Sequence, residues 1–235
     1  MTTNRTRSSF KNSTTALFGQ AITIILNFVV RTIFIKTLGA AYLGINGLFT
    51  NILSVLSFAE IGFGTAIIYA MYAPLAGKDE IKISKLMNYY AKVYETIGIF
   101  IFISGLVLIP FLHFFINDLS ELPKELPSLW IIYLLYLFNT SISYFFNYKR
   151  SLIIASQNGH IDSLNQLYFN LIKGVLQIIA LFVFHNFLLF LIIQIVCTFL
   201  GNYLISKLDH IFIYCYLSNY IYYLLNVLVI IEFYT

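Results

Sequence analysis

Residues 96–116 run for twenty-one positions without a formal charge. At about 1.5 Å of rise per helical residue, that stretch reaches across the ~30 Å hydrocarbon core of a bilayer. Similar apolar stretches recur along the chain, and they limit what it can fold into. Charged residues make up 10% of the 235, against roughly 25% in soluble domains. Hydrophobic residues make up 60%, and the mean hydropathy is +0.84. So few charges cannot cover a soluble surface of this size. A soluble enzyme, a nucleic-acid binder and a disordered chain are therefore excluded. The fold class expected is all-α, a polytopic membrane helix bundle of about six transmembrane helices.

Six spans are expected, at about residues 16–38, 43–72, 93–116, 129–148, 164–184 and 187–206. The first is too long for a signal-peptide core and lacks a clear small-residue cleavage site, so it reads as retained. The second is interrupted near Glu60, Gly62 and Gly64, where glycines loosen a helix. Pro110 is expected to kink the third span or end it early. That span has almost no polar face, so it is expected at the bundle's edge, facing lipid. Between residues 77 and 92, Ile81, Leu86 and Tyr89 alternate with lysines, the pattern of a short interfacial helix. Residues 117–128 and 149–163 read as polar connections, and His185 with Asn186 as a tight turn.

With the N-terminus on the cytoplasmic side, Arg5, Arg7, Lys11, Lys78, Lys82, Lys85, Lys92, Lys149, Arg150 and Lys207 fall inside. Only Lys36 and Lys124 fall outside. This asymmetry obeys the positive-inside rule and supports six spans. Two further basic residues, Arg31 and Lys173, lie within spans.

Those two belong to polar stripes. Gln20, Thr23, Asn27 and Arg31 share one helix face, as do Asn46, Thr50, Ser54, Ser57, Glu60 and Gly64. A third face carries Asp162, Gln166, Asn170, Lys173 and Gln177. Small and amide side chains can hold spans together. A formal charge in the membrane costs at least ~2.5–3.5 kcal/mol on the insertion scale, so it needs water or an ion partner. Arg31, Glu60 and Lys173 therefore point to a water-filled cavity. An Arg31–Glu60 pair is the structural alternative for two of them. Lys173 has only Asp162, three turns away, as an acid in its own span.

Catalytic and metal signatures are missing. The histidines at 113, 160, 185 and 210 sit in no ligand or acid–base spacing. Cys197 and Cys215 read as small apolar residues rather than a disulfide. No nucleotide-binding loop is present. No cofactor, metal site or enzyme chemistry is expected, which leaves a transporter by elimination.

Residues 37–76 read TLGAAYLGINGLFTNILSVLSFAEIGFGTAIIYAMYAPLA. This stretch resembles the first loop and second helix of polysaccharide-transport flippases, within the multidrug/oligosaccharidyl-lipid/polysaccharide exporter superfamily. KISKLMNYYAKVY at 82–94 and SLIIASQNGHIDS at 151–163 are similar as well. The resemblance extends over about residues 14–206. It implies two six-helix bundles rocking across a central cavity in the bacterial plasma membrane. The implied substrate is an undecaprenyl-pyrophosphate-linked oligosaccharide for cell-surface polysaccharide. On that analogy Arg31 and Lys173 neutralise the pyrophosphate, and Glu60 acts as counter-ion or gate. Asn27, Gln166, Asn170 and Gln177 hydrogen-bond sugar hydroxyls. Implied partners are membrane lipid, polysaccharide-synthesis glycosyltransferases and a polymerase.

The chain contains only one such bundle, residues 1–206. Its cavity is expected to need a second copy or a missing C-terminal bundle. Residues 207–235 change character: 211–231 hold five tyrosines and no charge, Gly, Ala or Pro. This tail reads as a seventh span or, preferably, as the product of a frameshifted, truncated gene. The alternatives to the flippase are a drug or cation exporter of the same superfamily and a non-transporting membrane fragment or accessory protein.

Overall fold

The computed structural model describes the backbone of residues 2–60, 62–115 and 128–217, and side chains within residues 10–207 of these. The described residues form helices α1 (Thr2–Leu38), α2 (Ala40–Leu56), α3 (Phe63–Ala76) and α4 (Glu80–Leu108). A four-residue turn, α5 (Leu112–Phe115), follows, then α6 (Leu129–Ala155), α7 (Gly159–Phe184) and α8 (Phe187–Leu217). No strand occurs among the described residues. Five segments are long and apolar enough to cross a membrane: Phe10–Leu38, Glu80–Phe111, Leu129–Ala155, Gly159–Phe184 and Phe187–Lys207. The chain is an all-α, polytopic membrane bundle.

Where a second span was expected, two short helices stand in its place. At about 1.5 Å per residue, neither the 17 residues of α2 nor the 14 of α3 reaches across ~30 Å alone. The break is a 3₁₀ turn, Ser57–Glu60, followed by Gly62 at φ +91°. Only glycine adopts that left-handed value without strain. The Gly62 carbonyl restarts the helix by accepting from the Ala66 amide at 3.0 Å and the Thr65 hydroxyl at 3.0 Å. α2 and α3 both pack on α6.

Two expected boundaries move. The segment after Gly77 is not a separate interfacial helix. The Asp79 carboxylate accepts from the Lys82 amide at 3.0 Å and caps α4, which then runs unbroken for 29 residues. The fourth span does not end at Tyr148. α6 continues to Ala155 because Lys149 and Arg150 find partners on neighbouring helices, so their charge does not force the chain out into a loop. The connection shrinks to Ser156–Asn158, with Gln157 at φ 65°. Other signals match: α4 ends two residues before Pro110, and His185 at φ 48° makes the tight α7–α8 turn. There the Asn186 side chain caps α8 by accepting from the Leu189 amide at 3.1 Å. α8 passes through Ser206 without a break. The loop at 117–127 and the tail from 218 lie outside the described residues.

α6 is the central column, packed by α2, α3, α4, α7 and α8; α1 packs chiefly on α7. Lipid tails are as apolar as leucine, so close packing, rather than the hydrophobic effect, holds membrane helices together. Glycines permit that closeness. A Cβ on Gly174 would lie 2.7 Å from Leu26, and one on Gly105 would strike Leu137. The helices sort into two ends. The end with the α1–α2 and α7–α8 turns is aromatic: Phe34 meets Phe187 and Phe190 edge-on at 5.8 and 5.0 Å, and Tyr42 meets Phe187 at 5.3 Å. The opposite end is held by polar side chains.

Candidate functional site

Two polar regions emerge, and the residues expected to form one site are divided between them. The first is an open face on α1 and α2. Gln20, Asn27 and Arg31 are exposed, as are Thr50 and Ser54. The hydroxyls of this face turn back onto their own helices. Thr23 donates to the Gly19 carbonyl at 2.8 Å, Thr50 to Asn46 at 2.7 Å, Ser54 to Thr50 at 2.8 Å and Ser57 to Leu53 at 2.9 Å. Such bonds satisfy the hydroxyl without tying helices together. Asn46 crosses to a neighbour, its Oδ1 accepting from the Tyr136 hydroxyl of α6 at 2.7 Å, and at the end of the stripe Ser57 and Glu60 lie beside the Tyr144 hydroxyl of α6.

Arg31 makes no ion pair among the described residues. The Arg31–Glu60 pair is therefore not formed. Glu60 stands half-buried on the 3₁₀ turn between α2 and α3, with the hydroxyls of Tyr94 and Tyr144 close to it. A Cβ on Gly64 would lie 3.4 Å from the Tyr94 hydroxyl, so that hydroxyl reaches the start of α3. The helix break thus places a carboxylate where two buried tyrosines, from α4 and α6, can meet it.

The second region is the stripe along α7. Gln166 donates to Asp162 Oδ2 at 2.8 Å, and Lys173 Nζ donates to Asn170 Oδ1 at 3.0 Å. Lys173 is half-buried and stands close to Cys197 on α8. Gln177 is only 3% exposed, and its amide donates to the Phe190 carbonyl of α8 at 3.3 Å. Its donor is occupied in holding helices together. Gln166, Asn170 and Lys173 keep exposed or half-exposed surface.

Sequence reasoning missed the cluster at the polar end. Arg150 Nη1 lies 3.3 Å from Asp162 Oδ1, and Nη2 donates to Asn202 Oδ1 at 2.7 Å. Lys149 donates to the Ser206 hydroxyl at 2.7 Å, and Asn165 donates to the Gly201 carbonyl at 3.1 Å. α6, α7 and α8 are laced together there. Asn12 adds α1 by donating to the Gln157 carbonyl at 2.9 Å and accepting from the His160 amide at 3.0 Å. A readable signal existed: Arg150 and Asp162 lie equally far on either side of Ser156, as a helical hairpin requires of facing residues.

No protein-family model, curated protein or solved structure matches the chain.

Proposed function

We propose that this chain supplies one helical bundle of a carrier for lipid-linked oligosaccharide. The observation that carries the reading is the open face of α1 and α2, with Arg31 exposed and, among the described residues, unpaired beside exposed Asn27, Thr50 and Ser54. A guanidinium facing lipid costs at least ~2.5–3.5 kcal/mol on the insertion scale. The same face against a water-filled path, shared with a second bundle, avoids that cost. The second bundle comes from another copy or from a further polypeptide region, since transporter sites form between repeats.

The substrate class comes from the resemblance of residues 37–76 to polysaccharide-transport flippases. In this reading Arg31 and Lys173 hold the pyrophosphate, and Asn27, Gln166 and Asn170 bond the sugars. Glu60 is counter-ion or gate, and Gln177 serves packing. The N-terminus lies in the cytoplasm of a bacterial cell, with the chain in the plasma membrane beside polysaccharide-synthesis enzymes. A drug or cation exporter of the same superfamily is the second reading, favoured by Glu60 between two tyrosine hydroxyls.

The test is translocation of a fluorescent undecaprenyl-pyrophosphate oligosaccharide in proteoliposomes, with Arg31→Ala and Lys173→Ala compared at equal protein levels. The reading expects both variants to lose most of the transport. Undiminished transport removes the assigned roles, and transport of a cationic dye in place of the oligosaccharide favours the exporter.

A further inference from the structure

The outward side of α4 carries a pattern that the carrier reading does not use. Lys82, Lys85, Tyr89 and Lys92 are spaced 3, 4 and 3, and all four are exposed. The same ladder continues through Thr96 to Ile99, Ile103 and Val107 at spacings of 4, 3, 4 and 4, again all exposed. These spacings keep the whole series on one face. The buried residues of α4, which include Ile83, Met87, Tyr94, Gly98 and Ile101, occupy the opposite face against the bundle. One unpartnered stripe therefore begins basic and ends apolar. Acidic residues do not interrupt it: Glu80 falls on another face, the Asp79 carboxylate is engaged as the cap, and Glu95 flanks the ladder one turn beyond Lys92, leaving Lys82 and Lys85 clear of it.

We propose that this stripe docks acidic phospholipid, with Lys82, Lys85 and Lys92 holding the headgroups and Ile99, Ile103 and Val107 lying along the acyl chains. The order of the residues matches the order of chemistries met on entering a bilayer. From Lys92 to Ile99 the helix advances seven residues, roughly 10 Å, more than the ~5–8 Å headgroup region on each side of the hydrocarbon core. Lysine suits the position because its flexible stem follows apolar surface while the ammonium stays with the phosphates. Tyr89 sits between Lys85 and Lys92, where amphipathic rings favour the headgroup level. Ile81, exposed one residue before the ladder, adds apolar surface that a purely solvated charge run would not carry. The unbroken passage of α4 from its Asp79 cap into the span keeps the lysines in register with the apolar half.

The occupant is committed to bulk acidic lipid and not to the pyrophosphate of a transported substrate. The inference holds whatever the carrier transports. The test uses the full chain reconstituted in phosphatidylcholine vesicles with phosphatidylglycerol, extracted in mild detergent, with the co-purified headgroups counted. The wild-type chain is expected to retain phosphatidylglycerol in preference to phosphatidylcholine. The combined variant K82Q/K85Q/K92Q loses that preference by roughly a hundredfold, in line with about 1 kcal/mol per lysine near an anionic surface. Raising the salt concentration weakens the wild-type preference in the same direction. The charge-preserving variant K82R/K85R/K92R keeps it, which separates lost charge from lost fold. K36Q, at the opposite end of the bundle, leaves it unchanged. Equal retention by the glutamine variant overturns the proposal, and so does an equal loss in K36Q. Displacement of the retained lipid by inorganic pyrophosphate but not by salt also overturns it, because the face would then be a substrate site.

Discussion

The α6–α7–α8 end and the open α1–α2 face are equally rich in polar residues and treat them in opposite ways. At the first, the buried and half-buried charges meet partners on other helices: Arg150 reaches Asp162 and Asn202, and Lys149 reaches Ser206. At the second, hydroxyls bond back to their own helices and Arg31 looks outward. A polar group in a membrane protein is structural when its partners lie on neighbouring helices. It is available for function when its own helix satisfies it or when nothing does. The comparison predicts where substitutions will unfold the bundle and where they will silence it.

The largest expected effect on stability is at the laced end. Asp162→Ala strands a partly buried guanidinium, which typically costs about 3–5 kcal/mol. Thermal unfolding in detergent should fall sharply. Adding Arg150→Ala should restore part of the loss, and a double-mutant cycle measures the coupling. Simple additivity of the two changes would erase the contrast between the regions. Gly174→Ala comes next. It forces a methyl group against Leu26 at the α1–α7 contact, and overpacking costs typically 1–3 kcal/mol. Its signature is loss of cysteine crosslinking between α1 and α7.

Tyr136→Phe removes the bond from Asn46 on the open face to α6, at a net cost of about 0.5–1.5 kcal/mol. A modest drop in melting temperature would report it. Arg31→Ala should change stability least, within about 0.5 kcal/mol for an exposed site, while on the proposed carrier reading it removes most of the transport. A destabilisation comparable to that of Asp162→Ala would show that Arg31 has a structural partner after all.

Much of this architecture was legible from residues alone. Apolar length marked the long helices. The glycines after Glu60 marked the broken one, Pro110 the end of α4, and His185 with Asn186 the last turn. The course of α6 was not legible, because a Lys149–Arg150 pair at the edge of a span looks like a loop when charge is weighed one residue at a time. What keeps it helical lies beyond the turn, on α7 and α8. Periodicity also correctly grouped the stripe of α7 but could not say which members were covered. Gln166 and Gln177 share that stripe, yet one is exposed and the other is bonded to the Phe190 carbonyl.

The pairing of α1 with α7 bears on how the protein is made. During synthesis α1 enters the bilayer well before α7, its main neighbour, which is complete only when residue 184 has been added. At the usual pace of a ribosome, 5–20 residues per second, the interval is on the order of ten seconds or more. Throughout it Arg31 and Asn27 must be tolerated in a membrane that offers them nothing. The nascent helix needs shelter at the insertion machinery until α7 arrives to pack against it, and Arg31 and Asn27 need theirs for longer, because α7 covers neither.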